Sequence, residues 1–165
     1  MLKNNKLKIT YDEAKKTHAK FLFSLYNEPT INSIAVNKKG IIEMSSILKT
    51  IEFFSTTNNS LFIVSLNSTN IGVGMIYDVN LEQNVCSLGI VLNPEYRNKG
   101  LGTVILEDLI EIAKNSLNVT SIKADINNEN YKALNLVKNF NFKCINDKNS
   151  LSTYCLLYTS DAADD

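Results

Sequence analysis

The stretch Leu88–Thr103 (Leu-Gly-Ile-Val-Leu-Asn-Pro-Glu-Tyr-Arg-Asn-Lys-Gly-Leu-Gly-Thr) joins an apolar run to the start of a helix. The run stops at Asn93-Pro94, because proline has no N–H group to donate to a neighbouring strand. Beyond it, apolar side chains recur at helical spacing, at Ile105, Leu106, Leu109, Ile110 and Ala113. The stretch therefore predicts a buried strand, a turn and a glycine-rich helix start.

The predicted helix start has the properties of an anion site. The first N–H groups of a helix have no partner within it, and the helix dipole adds partial positive charge there. Glycine lets a phosphate approach the backbone closely, and arginine supplies a fixed cation. The sequence therefore predicts a pyrophosphate site formed by Arg97, Asn98, Lys99, Gly100, Leu101, Gly102 and Thr103.

Spacing separates the kinds of phosphate site. A P-loop requires G-x-x-x-x-G-K-[ST], which is absent. A dinucleotide fingerprint requires G-x-G-x-x-G, and its third glycine is Ile105 here. Asp125 follows about 20 residues later, as a ribose-binding acid would, so the dinucleotide interpretation stays open. A plain strand–turn–helix, with glycines that serve only the turn, is the other alternative.

The pattern Arg97-x-x-Gly100-x-Gly102 after an apolar strand resembles the coenzyme A pyrophosphate loop of the GNAT acyltransferase superfamily. A second part of the resemblance lies downstream. The alternating segment Ser121–Ile126 is followed four residues later by Asn130, then by a helical pattern and Phe140-Asn141-Phe142. Members of that superfamily have this order after their fifth strand, with glycine where this chain has Asn141. Asn130 is also a good helix N-cap, and one residue can serve both roles.

The resemblance implies a cosubstrate and a reaction. Acetyl-coenzyme A would bind between the strands Val85–Leu92 and Ser121–Ile126, with no metal. Its pantetheine arm would lie along Ile90, Val91 and Leu92, with Asn130 bonding the amides of the same arm. A backbone N–H near Val91 would polarise the thioester, and a primary amine would attack it directly.

Two departures from the family pattern concern proton transfer. Val137 stands where the family often has a tyrosine that protonates the departing thiolate, and Ser87 stands where many relatives have a glutamate base. Tyr77 and Tyr154 are acid candidates on position alone, while Asp78 and Glu82 are expected to be solvated turn carboxylates. The sequence therefore assigns no catalytic residue.

The acceptor is inferred from the first 60 residues. Tyr26-Asn27-Glu28-Pro29, a later helix and Phe53-Phe54 resemble two bacterial branches. One acetylates nucleotide-linked 4-amino sugars, which is the preferred interpretation, and the other acetylates N-termini of ribosomal proteins. A non-catalytic coenzyme A-binding regulatory domain is the alternative from another class.

The whole pattern predicts an α+β fold. The expected order is β-α-α-β-β-β-α-β-α-β with room for one more strand, in a mixed, mostly antiparallel sheet of six to seven strands with helices on both faces. The first strand is expected at Lys6–Thr10 and the first helix at Asp12–Tyr26, with a short helical turn within residues 30–40. Residues 1–154 are expected to form one domain.

Composition limits the possible partners and the compartment of the protein. The chain has 165 residues, 44% apolar content and a formal net charge of zero, which does not favour nucleic acid. The sequence shows no apolar run long enough to span a membrane and no apolar leader. We therefore expect a cytoplasmic protein that does not bind membranes. The lone histidine, His18, is expected to be a surface or packing residue rather than a catalyst, and Cys86 and Cys144 are expected to be reduced, buried thiols. A homodimer stays open.

Residues 155–165 resemble the in-frame translation of a sequencing-library adapter. This segment is therefore predicted to be a non-native tail. Without its three aspartates the chain has 17 basic and 14 acidic residues, an excess too small to indicate an acidic partner.

Overall fold

Seven strands form one mixed sheet in a computed structural model that describes residues 8–34 and 41–158. The strands are β1 (Ile9–Glu13), β2 (Ser60–Leu66), β3 (Thr69–Asn80), β4 (Val85–Leu92), β5 (Ser121–Asn127), β6 (Lys143–Asp147) and β7 (Leu151–Leu157). The helices are α1 (Ala19–Tyr26), α2 (Pro29–Ile34), α3 (Met44–Ser55), α4 (Leu101–Leu117) and α5 (Tyr131–Asn139).

The order across the sheet is β1-β2-β3-β4-β5-β7-β6. Every neighbouring pair is antiparallel except β4 and β5, which run parallel. A parallel pair needs a crossover, and α4 supplies it. The helix start therefore stands directly beyond the carboxyl end of β4.

Helices cover both faces of the sheet. On one face α4 and α5 bury an apolar cluster that includes Ile105, Leu109 and Val137. On the other face α1, α2 and α3 bury a second cluster that includes Leu22, Ile47 and Ile51. The predicted α+β class, strand number and two-sided helix cover are confirmed.

Several local predictions need correction. The first strand runs to Glu13, because Asp12 and Glu13 pair with Ile63 and Phe62 of β2, so the helix begins only at Ala19. His18 does serve structure: its Nδ1 accepts from the backbone N–H of Lys15 at 2.9 Å. The short helical turn expected within residues 30–40 corresponds to α2, while residues 35–40 lie outside the described part.

Two further expectations concern the C-terminal end and the thiols. The boundary at residue 154 falls inside β7, where Cys155 pairs with Lys123 of β5. Residues 159–165 lie outside the described residues, and the non-native tail stays a prediction. Cys86 is buried as expected, but Cys144 is exposed because β6 is the uncovered edge strand. In the described ranges no helix has the length and apolar character to cross a membrane.

Candidate functional site

The parallel strands β4 and β5 separate halfway along their length. Their register pairs are Val85 with Ser121, Cys86 with Ile122 and Ser87 with Lys123, and none follows. From Leu88 to Leu92, β4 remains paired with β3 alone. A gap therefore opens in the sheet on the carboxyl side of Ser87, and one edge of β4 faces it.

Alternation along β4 decides which backbone groups face this gap. The N–H of Asn93 donates to the carbonyl of Ile71 at 2.8 Å, which turns Asn93 towards β3. In an antiparallel pair, alternate residues exchange hydrogen bonds with the neighbouring strand. Val91 therefore also faces β3, while Ile90 and Leu92 face the gap. The N–H groups that face the gap therefore belong to Ile90 and Leu92, the two neighbours of Val91, near which the sequence predicts a donor.

The predicted phosphate loop lies at the far end of the gap. A short 3₁₀ turn, Pro94–Tyr96, leads to Asn98 and Gly100, whose φ angles are 63° and 77°. Both are left-handed conformations, which glycine and asparagine adopt most readily. A Cβ placed on Gly100 would have no atom within 4 Å. The surface above the helix start is therefore open, as close approach of a ligand requires.

The backbone donors of this loop are unused. Within the described part of the chain, the N–H groups of residues 98–103 make no hydrogen bond. Asn98, Lys99 and Thr103 are exposed, while Leu101 is buried and anchors the helix start in the core. Gly102 faces α5, since a Cβ there would lie 3.5 Å from Cδ2 of Leu136. The loop presents a set of outward donors on a fixed support.

Arg97 connects the loop to the other side of the molecule. Its Nε donates to the carbonyl of Leu92 at 3.3 Å, and its Nη1 donates to Oγ1 of Thr30 in α2 at 3.3 Å. The pKa of Glu28 is lowered, mainly by a hydrogen bond from the Thr30 side chain and to a smaller degree by the charge of Arg97. Arg97, which is predicted to bind the diphosphate, therefore also connects α2 to the loop.

Asn130 and α5 form the opposite wall of the gap. The Asn130 side chain caps α5 by accepting from the N–H of Ala133 at 3.3 Å, so its predicted N-cap role is confirmed. Two residues later, the Lys132 ammonium donates to Oδ1 of Asn98 at 2.5 Å. Sequence reasoning missed Lys132, although its place in the first turn after the cap marked it as a neighbour of the gap.

Two of the positions that depart from the family pattern, Val137 and Asn141, have clear structural roles. Val137 is 4% exposed and packs in the core, so it supplies no proton donor. Asn141 adopts φ 67° and ends α5 as the expected glycine would. Tyr154, an acid candidate on position, is also buried in that core. The left-handed conformation that ends α5 is therefore retained, but the tyrosine that often serves as the acid in this family is absent.

A polar groove of about 340 Å³ lies on the α1–α3 face of the sheet, beside the point where β4 and β5 separate. Its walls are Asp78, Val85, Ser87, Lys123, Asp125, Ile145, Asn146 and Thr153. On the sequence alone, Asp125 is only a possible ribose ligand, and Lys123 and Thr153 are not predicted as site residues. The alternation of Lys123 and Asp125 within β5 was the available signal, because it places both on one face.

Tyr77 reaches this groove across β4. A Cβ on Gly89 would lie 2.9 Å from Cε of Met75 and 3.6 Å from Cε1 of Tyr77. The absence of a side chain at Gly89 therefore leaves room for both side chains. The pKa of the Tyr77 phenol is raised well above its ordinary value by burial and then by the negative charges of Asp125 and Asp78.

No group of three or more His, Cys, Asp or Glu residues in the described ranges is arranged to hold a metal ion. The polar groups at the separation of β4 and β5 are instead backbone donors, hydroxyls and carboxylates. They suit the binding of a phosphate-containing ligand on one side and of a polar molecule on the other.

Known proteins are similar to this chain in sequence and in fold. The chain is 24% identical to acetyltransferase PseH of Campylobacter jejuni subsp. jejuni serotype O:23/36 (strain 81-176). The match extends over 146 residues and covers 88% of this chain and 90% of that protein. Spermidine N-acetyltransferase from Vibrio cholerae, solved with CoA and spermine, superposes with a TM-score of 0.80 at 19% identity, over 90% of this chain and 95% of that chain.

A further structural neighbour is RimL, a ribosomal L7/L12 alpha-N-protein acetyltransferase solved with coenzyme A. Its TM-score is 0.82 at 10% identity, over 95% of this chain and 97% of that chain. The family model of the acetyltransferase (GNAT) family matches residues 19–142, three quarters of the sequence. This chain belongs to the acetyltransferase (GNAT) family.

Proposed function

We propose that this protein transfers an acetyl group from acetyl-coenzyme A to a primary amine by direct attack. The observation that carries the proposal is the set of unused N–H groups of residues 98–103, which stands at the open end of the gap between β4 and β5. A buried or hydrogen-bonded loop at this place would not bind a diphosphate.

The residues around the gap fit such a ligand. The diphosphate is held by the N–H groups of residues 98–103, with the helix dipole of α4 behind them. Lys99, Lys132 and Arg97 provide positive charge around the same loop. The pantetheine arm lies against the open edge of β4, where a strand-like ligand can use backbone groups of Ile90 and Leu92.

Backbone donors facing the gap also suit the chemistry. Acetyl-coenzyme A supplies a thioester whose carbonyl oxygen gains negative charge during attack. The N–H of Ile90 or Leu92 faces the gap and can donate to that oxygen. One such donor contributes roughly 3 kcal/mol in other acyl-transfer sites. Holding both reactants in the gap and the groove lowers the barrier further, because it removes the entropic cost of their encounter.

The groove favours a hydroxylated acceptor such as an amino sugar. It contains two carboxylates, Asp78 and Asp125, but also the ammonium of Lys123, together with hydroxyl and amide groups. A polyamine gains most from uniformly acidic walls, whereas mixed charge and many hydrogen-bonding groups suit a polar sugar. The likeness of residues 26–54 to amino-sugar acetyltransferases supports the same class, and a protein N-terminus is the alternative acceptor.

A non-catalytic coenzyme A-binding regulatory domain is the second candidate. The observation that favours it is Val137, because this buried aliphatic side chain replaces the usual proton donor. The free thiols of Cys86, Cys144 and Cys155 support a reducing compartment for either function, such as the cytoplasm. A bacterial source agrees with the Campylobacter relative, and a homodimer remains part of the proposal.

Acetyl-coenzyme A turnover with parallel amine panels separates these candidates. The panels contain amino sugars and nucleotide-linked amino sugars, polyamines, and peptides with free N-termini. We expect thiol release with an amino-sugar acceptor and slower release with the other panels. Binding of coenzyme A without turnover in any panel would support the regulatory domain, and no binding at millimolar ligand would contradict both candidates.

A further inference from the structure

The hydroxyl of Ser87 is buried without a partner. Ser87 is 5% exposed and lines the polar groove at the last register pair before β4 and β5 separate. Among the described residues, none makes a hydrogen bond with its Oγ. Buried polar groups are almost always paired, and an unpaired one costs folding free energy. The hydroxyl therefore stands ready to bond a ligand in the groove.

Asp125 lies on the same face, two residues beyond the strand partner of Ser87. Its Oδ1 accepts from the Thr153 hydroxyl at 2.7 Å, which fixes the carboxylate on the wall of the groove. Thr153 is directly opposite Asp125 in the β5–β7 register. The carboxylate is thus held by a rigid pair of strands, which keeps its position constant during a reaction.

The other charged and titratable groups facing Asp125 are Asp78, Lys123 and Tyr77. The phenol of Tyr77 stays protonated at neutral pH, because burial and the nearby carboxylates raise its pKa. It can donate a hydrogen bond but cannot accept the proton of an amine. Lys123 is likewise no acceptor while charged. Asp78 belongs to the exposed turn end of β3, so Asp125 is the carboxylate with a fixed orientation.

We propose, as an extension of the acetyl transfer proposed above, that the acceptor nitrogen lies between the Ser87 hydroxyl and the Asp125 carboxylate and that Asp125 receives the proton this nitrogen loses. The Asp125 carboxylate on β5 then takes the place of the glutamate that many relatives have on β4 at the position of Ser87. Both groups stand where the gap meets the groove, so a nitrogen held there is adjacent to a thioester in the gap.

The step balances without a further reactant. The lone pair of the nitrogen forms a bond to the thioester carbon, and the carbon–sulfur bond breaks with its electron pair on sulfur. Before the attack the ammonium gives one proton to Asp125, which passes it to solvent. After the attack the nitrogen gives a second proton to Asp125, which passes it to the thiolate. The products are the amide and free coenzyme A, and Asp125 returns to its starting charge.

The test compares Asp125→Asn with Glu82→Gln in the full chain. Asparagine keeps an oxygen for the Thr153 hydroxyl but cannot take a proton, and Glu82 is an exposed turn carboxylate outside the groove. With glucosamine as acceptor we expect kcat of D125N to fall at least 30-fold, while E82Q stays within twofold. With methoxyamine, which is neutral at pH 7, the loss in D125N shrinks to less than fivefold, because no proton must leave before attack.

Equal losses of D125N with both acceptors would overturn the proton-accepting role. Ser87→Ala gives a second measure. We expect its melting temperature to equal or exceed that of the wild type, because an unpaired hydroxyl is removed, while KM for glucosamine rises three- to tenfold with little change in kcat. An unchanged KM would place the nitrogen elsewhere.

A binding measurement keeps this inference separate from the proposed function. Line broadening of ethanolamine is followed by NMR with the protein and coenzyme A, which requires no turnover. We expect broadening with wild type and E82Q and its loss in D125N. Absence of broadening in the wild type would overturn the inference even if some amine is acetylated. Broadening without any turnover would contradict the proposed function and retain the ammonium site.

Discussion

Nζ of Lys132, in the first turn of α5, donates a hydrogen bond to Oδ1 of Asn98 at 2.5 Å. The bond joins the two helix starts that flank the gap between β4 and β5. It holds Asn98 in its left-handed conformation and brings a flexible cation to the phosphate loop. A ligand phosphate bound by this loop would meet that ammonium.

Lys132→Met should weaken coenzyme A binding three- to tenfold, because one phosphate contact and the support of Asn98 are lost; tenfold corresponds to about 1.4 kcal/mol. Calorimetric titration measures the effect. The matched control is Lys138→Met, an exposed lysine in the last turn of the same helix. The difference between the two variants should also shrink at high salt. Equal affinities in both variants would exclude Lys132 from the site.

Gly102 tests the path of the diphosphate. A Cβ at this position would lie in ordinary contact with Leu136, so the folded chain has room for it. Gly102→Glu should reduce coenzyme A affinity roughly hundredfold or more, about 2.7 kcal/mol, because a carboxylate meets the phosphates. Gly102→Gln has the size of the glutamate variant without its charge, and its affinity for coenzyme A should fall about tenfold. Unchanged affinity in the glutamate variant would refute the placement.

Gly100 should matter for the backbone rather than for space. A Cβ there touches nothing, but φ is 77°. Gly100→Ala should therefore destabilise the protein by about 1–2 kcal/mol, and Gly100→Asn by less, since asparagine tolerates this region. Urea unfolding measures both. Gly102→Ala should instead stabilise the protein by up to about 1 kcal/mol, because alanine is a better helix former than glycine. A neutral Gly100→Ala would show that the loop adopts another conformation.

Stability at high pH should depend on Tyr26. Its hydroxyl donates to Sδ of Met75 at 3.8 Å, and burial raises its pKa from 10.0 to about 12. The unfolded chain loses this proton first, so the stabilising contribution is complete below pH 10 and is lost as pH rises towards 12. The free energy of unfolding, measured with urea between pH 9 and 11.5, should fall less steeply with pH in Tyr26→Phe than in the wild type, by less than about 1.4 kcal/mol per pH unit. The control is Tyr131→Phe, whose side chain is 70% exposed. Parallel curves for Tyr26→Phe and the wild type would contradict this assignment.

The strand end, turn and helix start that form the predicted phosphate loop could be read from the sequence, because their signals are local. Proline ends β4, glycine permits the left-handed residue before α4, and periodic apolar residues define the helix. Asn130 was recognised for the same reason, since its cap acts three residues away. Such features depend on the conformations of a few neighbouring residues, which residue type largely determines.

The contacts that span the fold could not be read in this way. The partner of Arg97, Thr30, is 67 residues away in sequence. Tyr77 reaches the groove only because β4 has glycine at position 89 and pairs in one particular register. The start of α1 was placed too early, because pairing with β2 keeps Asp12 and Glu13 extended. Register and packing decide all three, and neither is visible in one segment.

The central claim is that the backbone N–H groups of residues 98–103 bind the diphosphate of coenzyme A. A ¹⁵N NMR titration of the full chain with coenzyme A tests it most directly. We expect saturable shifts that are largest at the amides of residues 98–103, with smaller ones at Ile90 and Leu92. Shifts confined to other parts of the chain, or none at millimolar coenzyme A, would contradict the claim.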